Sequence, residues 1–113
     1  MNKEQQQIAI AKACFWTINS LDLSSGWRKG VTNFTSNLEY LPDYLNDLNA
    51  MHEAEKVLYQ DPNLPKKYTQ QIKAAICREA GVKKAKMDFD VCITATAAQR
   101  AEAFLKTIDK WTN

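Results

Sequence analysis

Asn49-Ala50-Met51-His52-Glu53-Ala54-Glu55-Lys56 contains the chain's single histidine and is the first place to look for chemistry. His52-Glu53 matches the opening of the zinc motif H-E-x-x-H, in which two histidines one helical turn apart share a face around the metal. Lys56 stands where the second histidine belongs. Other ligands would have to come from carboxylates and thiols at unsupportive spacings, so no metal site is expected. A nucleophile–base pair would need Cys14, Cys77 or Cys92 beside His52, and nothing in the spacing unites them; buried reduced thiols are the simpler reading. Asp88 and Asp90 share one face of an alternating run and read as its solvated side. Three scattered glycines make no phosphate-binding loop. The expectation is a binder rather than an enzyme, with no catalytic residue, metal or cofactor.

Two charged residues stand out because they sit among apolar ones. Glu55 lies inside the apolar stripe of its helix, and Arg100 borders the stripe of the last helix. A buried carboxylate needs a partner and arginine offers a two-pronged one, so Glu55 and Arg100 are expected to form an interior ion pair locking two helices. The opposite face of the Glu55 helix carries Asn49, His52, Glu53 and Lys56. Together with Trp27, an aromatic between Gly26 and Arg28 in a polar stretch read as a loop, these are the candidate partner-binding residues.

The net charge of +2 hides an asymmetry. From Glu39 to Asp61 there are six acids and one base, Lys56, whereas Lys66, Lys67, Lys73, Arg78, Lys83, Lys84 and Lys86 face only Glu79 as an acid. A basic stripe of this kind can be a nucleic-acid footprint. The plainer reading is neutralisation by nearby acidic helices with the remaining lysines solvated, since no aromatic ladder accompanies the bases. Nucleic acid is therefore the alternative partner. A small-molecule binder or hydrolase around His52 is a further one.

These residues need elements to hold them. Residues 3–15 read as a first helix with Ile8, Ala11, Cys14 and Phe15 on one face. Residues 16–40 are irregular, with a short strand or hairpin near Trp27–Phe34. The stretch Leu41–Leu58 is read as the helix on which the rest is organised, starting at Pro42, where a missing N–H costs nothing. It buries Tyr44, Leu48, Met51, Ala54 and Leu58. Asp61-Pro62-Asn63-Leu64-Pro65 ends it. A third helix is expected over 66–80, burying Tyr68, Ile72, Ala75 and Ile76, with Gly81 as its cap. Met87–Thr94 alternates as a strand does. Thr96-Ala97-Ala98-Gln99 is a capping-box pattern opening a last helix, Ala97–Trp111.

A chain of 113 residues, 45% hydrophobic and 25% charged, suits one globular domain over 1–113. No apolar run is long enough to span a membrane. The polar start Met1–Gln7 lacks a signal-peptide core, which points to the cytosol.

Asp47–Glu55, followed at a distance by Ala95–Leu105 and Trp111, resembles the phage ABA sandwich domain family of small bacteriophage and prophage proteins. Ala11–Trp16 is similar to that family's usual opening, with Phe15 where a glycine is commonly met. The resemblance implies an α+β fold of about four helices, with a small antiparallel sheet packed between helices as an α/β/α sandwich. It brings no established activity, cofactor or catalytic residue. The expected role is that of an accessory protein in the bacterial host cytosol that binds a host or phage protein, inhibition of a host defence system being one form. The partner and the oligomeric state are not legible in the residues.

Overall fold

Side-chain caps mark where the helices begin. In the computed structural model, which describes residues 1–28, 39–80 and 95–112 (backbone only at 27, 28, 39 and 80), Asn2 accepts from the Gln5 N–H while the Gln5 side chain accepts from the Asn2 N–H. This capping box opens helix α1, Lys3–Ala13. Thr96 and Gln99 repeat the device and open the last helix, Ala97–Thr107. Between them lie α2, Leu48–Glu55, which runs on as a 3-10 turn over Lys56–Gln60, and α3, Leu64–Ala80. The last helix is named α4.

Three short strands, β1 Trp16–Ile18, β2 Ser25–Arg28 and β3 Glu39–Tyr40, form an antiparallel sheet in the order β1-β2-β3. Thr17 faces Trp27 and Ser25 faces Tyr40. Gly26 pairs with Ile18, and any Cβ there would run into the Thr17 carbonyl, so the close approach of β1 and β2 requires glycine. The fold is thus α+β, with four helices and a small antiparallel sheet among the described residues, as expected. The expected strand Met87–Thr94, the Gly81 cap, and Lys83, Lys84 and Lys86 lie outside the described residues.

Several expectations are corrected. The helix expected from Pro42 begins at Leu48. Turn bonds occupy the intervening backbone, with Tyr44 N–H donating to Pro42 O and Asp47 N–H to Asp43 O. The Asp47 carboxylate then caps α2 by accepting from the Asn49 and Ala50 N–H groups. Leu48, expected in the apolar stripe, is exposed. Trp27 lies in the middle strand, in keeping with the strand or hairpin expected near Trp27–Phe34 and not with the polar loop expected to present it as a contact residue.

The core is a single cluster drawn from all four helices, β1 and the Leu41–Leu45 segment. Its hub is α4 rather than the Leu41–Leu58 stretch: α1, α2 and α3 each pack on α4, whose Ala101, Ala103, Phe104 and Leu105 are inaccessible to solvent. The small alanines let neighbouring helices approach closely. Instead of running to Trp111, α4 stops at Ile108. Asp109, at φ 59, reverses the chain while Lys110 N–H donates to Leu105 O and Asp109 N–H to Lys106 O. These two bonds are a Schellman motif built without glycine.

At the end of α1 the same left-handed position is taken by Phe15, at φ 69, with its N–H donating to Lys12 O. A non-glycine residue there carries about 1–2 kcal/mol of strain. The ring, expected to face the core, is 50% exposed.

Candidate functional site

Two polar constellations flank α2, one buried beneath it and one open beside it. The buried one joins three helices. Arg100 of α4 donates from Nη1 to Glu55 Oε1 at 3.3 Å and to Oε2 at 3.4 Å, and both residues are buried. Arg100 Nε donates to the Ala95 carbonyl at 3.2 Å. The guanidinium meets the carboxylate through Nη1, which straddles both oxygens, while Nε is committed to the backbone ahead of α4.

His52 Nδ1 lies 3.3 Å from Glu55 Oε1, one turn back on α2. Tyr68 of α3 brings a buried hydroxyl toward the pair, near Arg100 and Glu55 but without a hydrogen bond of good geometry among the described residues. Burial, and then the Glu55 carboxylate, push its pKa up while Arg100 opposes. Glu55 is engaged by both Arg100 and His52. The arrangement fastens α2, α3 and α4 together around one ion pair.

The open constellation is a cleft of about 460 Å³. Its inner wall is made by Cys14 and Trp16, either side of Phe15, and by Pro42 and Tyr44 from the segment leading to α2. Its outer wall is one face of α2, with Asn49, Ala50, Glu53 and Ala54 at the spacing of successive helical turns. The side chain of Gln7 on α1 holds the Leu41–Pro42 stretch in place by donating to both carbonyls, at 3.3 and 2.9 Å. Burial pushes the Cys14 thiol up to about 11, with the Tyr44 hydroxyl, hydrogen-bonded to the sulfur, pulling the other way. The thiol is protonated at neutral pH and is a weak nucleophile.

The candidate partner-binding residues divide accordingly. Asn49 and Glu53 line the cleft, and Glu53 is paired with Lys56 at 2.9 Å. His52 is exposed but turned toward Glu55. Trp27 is placed by its backbone alone, opposite Thr17 in the sheet. The cleft itself could not be read from the sequence, because its walls come from three separate segments.

On α3 the bases meet acids from α4 and its end, rather than from the acidic stretch 39–61. Arg78 Nη2 lies 2.6 Å from Glu102 Oε1, and Lys67 Nζ lies 3.5 Å from Asp109 Oδ1. Lys66 is exposed and Lys73 half-buried. Glu79 accepts from the Gln99 amide at 2.6 Å, adding a clasp between α3 and α4. The pairing of Arg78 and Lys67 removes part of the charge a polyphosphate would need.

Among the described residues, no three His, Cys, Asp or Glu side chains gather as metal ligands. No helix there is long and apolar enough to cross a membrane. No protein-family model matches the chain, and neither a curated protein nor a solved structure matches it significantly.

Proposed function

We propose that this protein works by binding another protein, as a small bacteriophage or prophage accessory factor in the host cytosol. The partner is a host or phage protein, and inhibition of a host defence system is one form the role takes. The observation that carries the binding reading is the cleft beside α2. Trp16 and Tyr44 are buried core residues that form its floor, and the exposed Asn49 and Glu53 on α2 offer the few polar groups with which a recognition site fixes orientation. Two groups that hydrolysis around His52 would draw on are otherwise engaged. Glu55 is held by Arg100, and the Cys14 thiol is protonated. The phage assignment rests on the resemblance of Asp47–Glu55 and Ala95–Leu105.

Affinity capture from bacterial host lysate tests the reading. The parent chain is expected to retain a defined partner that is lost with Ala50→Trp, which fills the cleft, and weakened with Asn49→Ala/Glu53→Ala. Equal capture by all three chains would move the interface elsewhere. Turnover of a substrate by scrupulously purified protein would end the binder reading.

A further inference from the structure

We draw no further inference here: the strongest candidate, the exposed leucines Leu21 and Leu23 in the turn joining β1 to β2, is an apolar surface patch with nothing in the structure to show what covers it.

Discussion

Arg100 reaches Glu55 across 45 residues of chain and spends one nitrogen on both carboxylate oxygens. Its Nε is tied to Ala95 O, so the guanidinium is fixed from two sides before it meets its partner. Both charges are buried, and each is a partner of opposite sign for the other. Glu55→Gln or Arg100→Met alone is therefore expected to cost about 3 kcal/mol, because the remaining charge is stranded. The double variant Glu55→Met/Arg100→Met is expected to cost clearly less than the sum of the singles. Denaturant melts of the four chains measure this, and additive or negligible losses would remove the pair as a lock.

Tyr68 should answer in the opposite direction. Its buried hydroxyl sits close enough to Glu55 and Arg100 to feel both, yet makes no hydrogen bond of good geometry among the described residues, and a poorly satisfied buried polar group is a cost borne by the fold. Tyr68→Phe keeps the ring and removes that cost, so an unchanged or slightly higher melting temperature is expected. A loss above about 1 kcal/mol would mean that the hydroxyl is a working member of the Glu55–Arg100 network.

Phe15→Gly is expected to stabilise the chain, since glycine adopts positive φ without strain. Relief of the left-handed conformation outweighs the added freedom of the unfolded chain by on the order of 1 kcal/mol. Calorimetry measures this, and a fall in melting temperature would mean that the ring's contacts outweigh the strain of the turn.

Cys14 offers a pH readout. Its thiol is raised from 9.0 to about 11, so in a Cys77→Ser/Cys92→Ser background its alkylation near neutral pH is expected to be on the order of a hundredfold slower in the folded chain than in denaturant. Tyr44→Phe removes the interaction that favours the thiolate and should slow labelling further. The sign for stability follows: the unfolded thiol ionises first, so the contribution of Cys14 is intact below pH 9 and is lost as pH rises toward 11.

What could be read in the chain depended on the range of the interactions. Thr96 and Gln99 were legible because a capping box is written in four consecutive residues. Glu55 and Arg100 were legible because a charge inside an apolar stripe calls for a partner. The start of α2 was misread because Pro42 fits a first helical turn, and only the turn bonds of Tyr44 and Asp47 show that the backbone is otherwise engaged. A short strand near Trp27 was legible, but its pairing with Thr17, ten residues earlier, was not. Phe15 hid the turn after α1 because no glycine announces it, and the cleft is assembled from residues as far apart as Cys14 and Ala54.

The position of α4 as the hub of the core has a consequence for synthesis. The helix that α1, α2 and α3 all pack on is also the last of the four to emerge from the ribosome. Until residues 97–107 are outside, Ile10, Met51, Leu58 and Ile72, all buried in the finished fold, lack the Ala101–Leu105 side of the core they share. The nascent chain therefore closes its core only when α4 arrives.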